Sequence, residues 1–361
     1  MTGTAFKVDS TLMKAASVAL KQVLAVQKDE HVLIVTNPER EVYRIAQALY
    51  SAGISLGASP TLLVQQRKTS FDNAEPSIIN AIKTEPEVVI SISAERMGKD
   101  KAALTTPYKG RDGAPYSHVF DYLLYDAKKI RAFWSPKVTA EMFTRTVPID
   151  YAALRRRCAR IANMLQGKKE VHVKTDLGTD VTIGIQGRRS KLDDGNFSSP
   201  GRGGNLPAGE VYISPQLGVS HGTIVFDGSI TLDETIVIKY PIKVEIEKGF
   251  VTEIGGRTEA KKLVDYLNKA EKRPFEMMKK GDLDKKRAEE FSRNARHIGE
   301  LGIGTNPNAK IVGNVLEDEK VLGTVHFAIG SNYDNDAQAL IHSDGIVKKP
   351  TISIDGETLK P

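Results

Sequence analysis

Short runs of consecutive apolar residues alternate with helix-like segments through the first 147 residues of the chain. The runs HVLIVT (31–36) and EVVISIS (87–93) are rich in β-branched residues, which is typical of strands buried on both faces. REVYRIAQALYSAG (40–53) and EPSIINAIKT (75–84) instead repeat apolar residues at helical spacing. This alternation predicts an α/β domain with a mostly parallel sheet and helices on both faces.

Thr36-Asn37-Pro38 follows the first predicted strand, at the place where a nucleotide-binding domain would carry GxGxxG or a P-loop. Because neither motif is present there, we expect this domain to be a scaffold without a bound cofactor.

After residue 147 the pattern changes to short strand-like segments that are separated by turn residues. Alternation of this kind around short turns is a hairpin signal. A strongly charged helical stretch interrupts it from about residue 257 to residue 296. We therefore predict an α/β domain at 1–147 and a β-rich domain with mixed or antiparallel sheets at 148–361. The turn pairs are Leu177-Gly178, Asp227-Gly228, Lys248-Gly249 and Asp355-Gly356.

Two strand-like segments near the end of the chain carry histidines. GTVHFAIG (323–330) contains His326 between small neighbours, and LIHSDGIV (340–347) contains His342 and Asp344. Residues i and i+2 of a strand share a face, so His342 and Asp344 project side by side. Two imidazoles and a carboxylate suit zinc, cobalt, manganese or iron. A buried histidine that only hydrogen-bonds a turn aspartate is the alternative.

Two further strand-like segments place a carboxylate on a face of small or polar residues. Glu210 lies in AGEVYISP (208–215), and Glu300 shares its face with glycines in GELGIGTN (299–306). Glycine weakens a strand and usually marks the close approach of a ligand or of another backbone. A buried, unpaired carboxylate is costly, and a cation removes that cost. Exposed edge glutamates are the alternative interpretation.

Taken together, these segments supply enough ligands for more than one metal ion. A single zinc needs three or four protein ligands, whereas two divalent cations about 3.5–4 Å apart use more. We therefore predict two divalent cations (zinc, cobalt or manganese), with one glutamate bridging them. The predicted ligands are Glu210, Glu300, His326, His342 and Asp344, with Tyr333 as a sixth.

Composition excludes several other classes. The formal charge of +6 is mild for 361 residues, so we expect no nucleic-acid partner. Cys158 is the one cysteine, which excludes an internal disulfide and a CxxC metal site. No apolar run of about 18 residues and no signal-peptide pattern is present, so we expect a cytoplasmic protein without a membrane partner. The chain also lacks the HExxH motif of zincin-type peptidases.

Four segments resemble the motif series of the aminopeptidase T / aminopeptidase S family of two-metal exopeptidases. That resemblance implies metal ligands at Glu210, Glu300, His326, His342 and Asp344, with the tyrosine of the site at Tyr333. It also implies an α/β domain followed by a β-rich metal-binding domain, and a homodimer. The segments are NLPAGEVYISP, IGELGIGTN, DEKVLGTVHFAIG and IHSD.

The resemblance implies a metallo-aminopeptidase, a hydrolase that cleaves the N-terminal peptide bond of peptide substrates. Two cations would activate a shared water, and Tyr333 would donate a hydrogen bond to the developing oxyanion. No residue stands out as the general base: Glu319 is a candidate, but an exposed turn acid is the simpler interpretation of that residue.

One departure from the peptidase pattern leaves an alternative open. The stretch between Tyr333 and His342 is short and carries Ala337 and Ala339 where Asn-x-Ser is expected. The overall fold is also similar to that of 2,5-dihydroxypyridine 5,6-dioxygenase, which opens a pyridine ring with one non-haem iron. Such an enzyme needs two histidines and one carboxylate, with open positions for oxygen and substrate.

Overall fold

The computed structural model describes residue 6 and residues 8–360, which divide into two compact units. The first unit contains the chain up to Arg155 together with Asp193–Ala208. The second contains Arg156–Leu192 together with the chain from Gly209 onward. The domain boundary after residue 147 stays a prediction.

A five-stranded parallel sheet forms the centre of the first unit. Its strands are β1 (His31–Thr36), β2 (Ser59–Val64), β3 (Val88–Ser93), β6 (Arg131–Pro136) and β10 (Gly203–Asn205). Their order across the sheet is β10-β6-β3-β1-β2. A separate antiparallel pair consists of β4 (Tyr108–Lys109) and β5 (Pro115–Tyr116).

Helices bury both faces of this sheet. Leu33 and Val35 of β1 belong to a buried cluster with residues 78, 79 and 82, while Val32 and Ile34 between them are also buried. Because neighbouring strand residues point to opposite faces, both faces are covered. The helices of the first unit are α1 (Ser10–Val18), α2 (Arg40–Ser55), α3 (Pro76–Lys83), α4 (Lys101–Thr105), α5 (Val119–Asp121) and α6 (Ala140–Thr146), with π-helical turns at Ala19–Val23 and Tyr122–Asp126. The next helix, α7 (Tyr151–Leu165), begins in the first unit and continues into the second.

Two seven-stranded sheets form the second unit. The strands are β7 (Glu170–Lys174), β8 (Asp180–Gly184), β9 (Lys191–Asp193), β11 (Glu210–Ile213), β12 (His221–Phe226), β13 (Ser229–Thr231), β14 (Thr235–Val237), β15 (Ile242–Glu247), β16 (Phe250–Gly255), β17 (Ile298–Gly304), β18 (Thr324–Gly330), β19 (His342–Lys348), β20 (Thr351–Ile354) and β21 (Glu357–Thr358). One sheet has the order β14-β13-β19-β18-β17-β11-β9, and the other has the order β16-β15-β12-β8-β7-β20-β21. Neighbouring strands pair antiparallel at the centre of both sheets.

Besides the larger part of α7, the second unit contains α8 (Thr258–Lys279), α9 (Lys285–Asn294) and α10 (Val315–Asp318). Of these three, α8 and α9 lie in the charged stretch near residues 257–296. Within residues 8–360, none of the helices combines the length and the apolar character that crossing a membrane requires.

This architecture confirms the predicted fold class, a parallel α/β part followed by an antiparallel β-rich part. The hairpin predicted at Asp227-Gly228 was wrong, because β12 and β13 belong to different sheets. The amides of Asp227 and Gly228 both donate to the carbonyl of Ile346, at 3.2 and 3.0 Å. The turn therefore carries the chain from one sheet to the other instead of pairing its two flanking strands.

His297, just before β17, should make the stability of the fold depend on pH. Its ring is 1% exposed, neither ring nitrogen has a hydrogen-bond partner, and burial lowers its pKa from 6.5 to about 4. Between these values the unfolded chain binds a proton that the native protein excludes. The free energy of unfolding should therefore fall by up to about 1.4 kcal/mol per pH unit as the pH drops from 6.5 towards 4.

A His297→Leu variant should lose this share of the acid sensitivity. Thermal unfolding measured between pH 7 and pH 4.5 should show a shallower decline in Tm for the variant than for the wild type. His31→Leu, at the exposed first position of β1, is the matched control. Parallel declines for wild type and His297→Leu would contradict the assignment.

Candidate metal centre

Four adjacent strands bring the five predicted acids and imidazoles to one face of a sheet. β11, β17, β18 and β19 are neighbours in the order β19-β18-β17-β11. Residues that lie opposite each other on paired strands point to the same side of the sheet. The register aligns Glu300 with Ala328 and Asp344, Gly302 with Tyr212 and His326, and Gly304 with Glu210.

Gly302 provides the space that the imidazole of His326 fills. A Cβ atom added at Gly302 would lie 1.9 Å from Nε2 of His326 and 2.1 Å from its Cε1. Every residue of β17 and β18 is buried, so the imidazole has little room to move elsewhere. The glycine-rich face of β17 therefore marks the close approach of a functional side chain.

The Asp344 group consists of Glu300, His342 and Asp344, which offer one ligand atom each within 4.8 Å of one another. Nε2 of His342 lies 3.3 Å from Oε2 of Glu300 and 3.3 Å from Oδ1 of Asp344. Both carboxylate oxygens are buried without a hydrogen-bond partner. Nδ1 of His342 lies 2.9 Å from the carbonyl of Ser331 and donates to it. That bond turns Nε2 towards the two carboxylates.

The Lys320 cluster consists of Glu210, Glu319, Lys320 and His326. Nζ of Lys320 lies 2.6 Å from Oε1 of Glu210 and 2.7 Å from Oε1 of Glu319. Nε2 of His326 lies 3.4 Å from Oε2 of Glu210. Glu210, Glu319 and His326 also meet the 4.8 Å criterion for a group that could hold a metal ion.

Two members of this cluster were not predicted correctly from the sequence. The interpretation of Glu319 as an exposed turn acid was wrong, because its side chain is 15% exposed and is paired with Lys320. Lys320 was missed altogether, although its side chain is fully buried. Both follow α10 directly, in a turn without periodicity, so only their position just before the predicted His326 strand could have drawn attention to them.

Glu300 connects the two groups. Its Oε1 lies 3.0 Å from Nε2 of His326, while its Oε2 faces His342. Glu300 therefore lies between the two groups, while the bridging of two cations by a glutamate stays a prediction.

The electrostatics of the site favour positive charge between the carboxylates. Burial raises the pKa of Glu210 to about 8, against the effect of Lys320. Burial also tends to raise the pKa of Glu300, but the hydrogen bond to His326 and the nearby imidazole of His342 hold it at about 2. Burial opposes charge on the imidazoles as well. Nevertheless, Glu300 and Glu210 raise the pKa of His326 to about 9, and Asp344 and Glu300 raise that of His342 well above 6.5.

The structure places Tyr333 beside the Asp344 group. Its ring packs edge-on against His342 and against Tyr212, with ring centroids 5.1 Å apart in both cases. The residue is 49% exposed, and its carbonyl accepts a hydrogen bond from Lys191 at 2.6 Å. Its predicted role as a ligand or as a proton donor stays a prediction.

The donor atoms fit a divalent cation. Each of the two groups offers two carboxylates and one imidazole, the nitrogen and oxygen ligands that iron, manganese and zinc accept. The orphaned oxygens of Glu300 and Asp344 are buried polar atoms that a cation would satisfy. The prediction of a divalent-metal site is confirmed to this extent, while the number and identity of the ions stay open to proposal.

Comparisons with known proteins point to one family. A family model described as NicX, 2,5-dihydroxypyridine 5,6-dioxygenase, matches residues 128–360. The curated 2,5-dihydroxypyridine 5,6-dioxygenase of Pseudomonas putida KT2440 is 30% identical over 128 residues, which are 35% of this chain and 36% of the relative. The match thus spans about a third of the relative's length.

Two solved structures share the fold. The 2,5-dihydroxypyridine dioxygenase from Pseudomonas putida KT2440 has a TM-score of 0.70 at 18% identity, covering 98% of this chain and 99% of that chain. Wild-type AmpT from Thermus thermophilus has a TM-score of 0.65 at 17% identity, covering 97% and 96%. The predicted likeness to aminopeptidase T is therefore confirmed as a likeness of fold.

The family model and the curated relative contradict the predicted metallo-aminopeptidase. The predictions that the chain is a hydrolase and a protease, and that it cleaves peptides, were therefore also wrong. The motifs behind the resemblance lie mainly on β11, β17, β18 and β19, and one fold hosts different chemistries. The homodimer, the cytoplasmic location and the lack of a nucleic-acid partner stay predictions.

Proposed function

This chain belongs to the NicX family, described as 2,5-dihydroxypyridine 5,6-dioxygenase, and from that membership we propose that it is a ring-cleaving dioxygenase. The proposed substrate is a hydroxylated pyridine, with 2,5-dihydroxypyridine as the first candidate. The matched residues 128–360 include both groups of the candidate metal centre. Both atoms of dioxygen would enter the ring-opened product, so the reaction needs no separate reductant.

The observation that carries the proposal is the pair of orphaned oxygens on Glu300 and Asp344, both 3.3 Å from Nε2 of His342. We propose that these three residues hold one iron(II) ion, in place of the two zinc, cobalt or manganese ions predicted from the sequence. Three protein ligands leave positions open for other molecules. Bound iron supplies the redox chemistry that lets dioxygen react with an aromatic ring.

The chain's own residues orient the metal ligand and the substrate. The Ser331 carbonyl fixes the His342 tautomer, so that Nε2 stays free to act as a ligand. The His342 side chain is 23% exposed, and the half-exposed ring of Tyr333 stands next to it. Aromatic rings attract one another in edge-to-face and offset geometries. Tyr333 and Tyr212 therefore offer a wall on which a flat hydroxylated ring can pack beside the metal ligands.

Oxygen uptake by the full chain tests this function directly. Protein loaded anaerobically with iron(II) should consume one O₂ per molecule of 2,5-dihydroxypyridine, with loss of the ring absorbance. The same protein loaded with zinc, which has no redox chemistry, should consume none. Absence of O₂ uptake by fully iron-loaded protein with a panel of hydroxypyridines would refute the proposal.

A further inference from the structure

The two groups of the candidate metal centre contain the same ligand types, but only one of them contains a lysine. The Asp344 group offers two carboxylates and one imidazole, and so does the Lys320 cluster. The Lys320 cluster also holds an ammonium within 2.6 Å of Glu210 and 2.7 Å of Glu319. In the part of the chain that the structure describes, the ion-pair partners of Glu300 and Asp344 are histidines.

The ammonium of Lys320 stands where a cation held by these carboxylates would stand. Its side chain has no exposed surface, and that of Glu210 has only 9%. Two buried carboxylates need a compensating positive charge, because an unpaired buried charge is strongly unfavourable. A lysine supplies this as a compact point charge, and a divalent cation would supply it equally well.

Glu300 makes the two positions neighbours. One of its oxygens lies 3.0 Å from Nε2 of His326 in the Lys320 cluster, and the other lies 3.3 Å from Nε2 of His342 in the Asp344 group. A carboxylate that faces both positions is placed to bridge two metal ions, which lie about 3.5–4 Å apart in two-metal sites. The ligand framework for two ions is therefore present, and one of the two positions is filled by a side chain.

We propose that Lys320 acts as a built-in cation that keeps this chain to one metal ion, and that removing it opens a second divalent-cation site formed by Glu210, Glu319 and His326. This inference rests on the proposed function only in taking the Asp344 group as the first metal site. The occupant expected at the second site is a hard divalent ion, such as Mn²⁺, because two of its three ligands are carboxylates.

Binding of Mn²⁺ to the 361-residue chain provides the test. We expect one Mn²⁺ per wild-type chain and two per Lys320→Ala chain, measured by metal analysis after equilibrium dialysis. Electron paramagnetic resonance should show a magnetically coupled Mn²⁺ pair only in the variant, because Glu300 would bridge the ions. Lys320→Arg keeps the charge and should match the wild type. Lys348→Ala removes a half-exposed lysine paired with Asp227 and should also match it.

Two further variants control for misfolding and for Mn²⁺ binding at another place. Lys320→Asn retains a hydrogen-bond donor for one carboxylate, so we expect it to fold even if Lys320→Ala fails to fold. It should also bind one more Mn²⁺ than the wild type. Adding Glu210→Gln to either variant should remove the second ion and leave the first.

The difference in Mn²⁺ count between variant and wild type decides the inference. An unchanged count in folded Lys320→Ala or Lys320→Asn would overturn it, and so would two ions in the wild type. A wild type without Mn²⁺ whose variants gain one ion would support the role of Lys320 while contradicting metal binding by the Asp344 group.

Discussion

Replacing His342 with alanine should lower ring-cleaving activity by more than about 100-fold, since loss of a residue that merely supports a ligand already costs about 10–100-fold. His342 is the imidazole that faces both orphaned carboxylate oxygens of the Asp344 group. Its side chain is partly exposed, so we expect the variant to fold. Iron content and O₂ uptake with 2,5-dihydroxypyridine should fall together.

His221→Ala is the matched control for this variant. His221 is exposed at the start of β12, and its Nδ1 lies 3.1 Å from the carbonyl of Val219. Its loss should leave iron content and rate close to those of the wild type. Retention of iron and of most activity by His342→Ala would show that the metal is held elsewhere.

Adding a single methyl group at Gly302 should displace His326 and destabilise the second unit. The added Cβ of Gly302→Ala would lie 1.9 Å from Nε2 of His326, inside van der Waals contact, and the surrounding strands are fully buried. Overpacking of this kind typically costs about 1–3 kcal/mol. Denaturant unfolding should report a loss of that size. Metal affinity should fall as well, because His326 contacts Glu300 at 3.0 Å.

Gly255→Ala provides the comparison for a glycine in a strand without a close neighbour. At Gly255 an added Cβ would meet only the Cβ of Lys243, at 3.9 Å. This control should be close to neutral, or slightly stabilising through lower entropy of the unfolded chain. Equal stabilities for Gly302→Ala and Gly255→Ala would mean that His326 does not occupy the space beside Gly302.

Strand periodicity was sufficient to assemble most of the site from sequence. A period of two residues assigns each side chain to a face, and for Glu210, Glu300, His326, His342 and Asp344 that assignment agrees with the register of the four strands. Gly302 also helped to predict the site, because a glycine within a strand indicates the close approach of another group, here the imidazole of His326.

Residues outside regular elements carry no such periodicity. Glu319 and Lys320 lie in the turn after α10, and DEK resembles an exposed charged turn. Their burial follows from long-range packing that a local pattern does not encode. The hairpin prediction at Asp227-Gly228 failed for the same reason. Its residues fit a hairpin turn, but the flanking strands β12 and β13 pair with other strands that are distant in sequence.

The chemistry was harder to predict than the site. Acids and imidazoles on one face of a sheet suit hydrolysis and oxygenation equally well, so the ligand types alone did not separate a peptidase from a dioxygenase. In our inference, Lys320 distinguishes a one-metal site from a two-metal site. It lies in the turn after α10, where strand or helix periodicity gives no prediction.

β10 has a consequence for how the protein is made. Gly203–Asn205 pairs with Ala132–Trp134, so the first unit obtains this edge strand only after the intervening residues 156–192 of the second unit have been synthesised. Until then the edge of β6 exposes unpaired backbone groups of the kind that recruit other chains. During synthesis on the ribosome, a chaperone that covers the edge of β6 would therefore protect the nascent chain from aggregation. A fragment that ends at the predicted boundary, residue 147, would lack β10 and would leave this edge exposed.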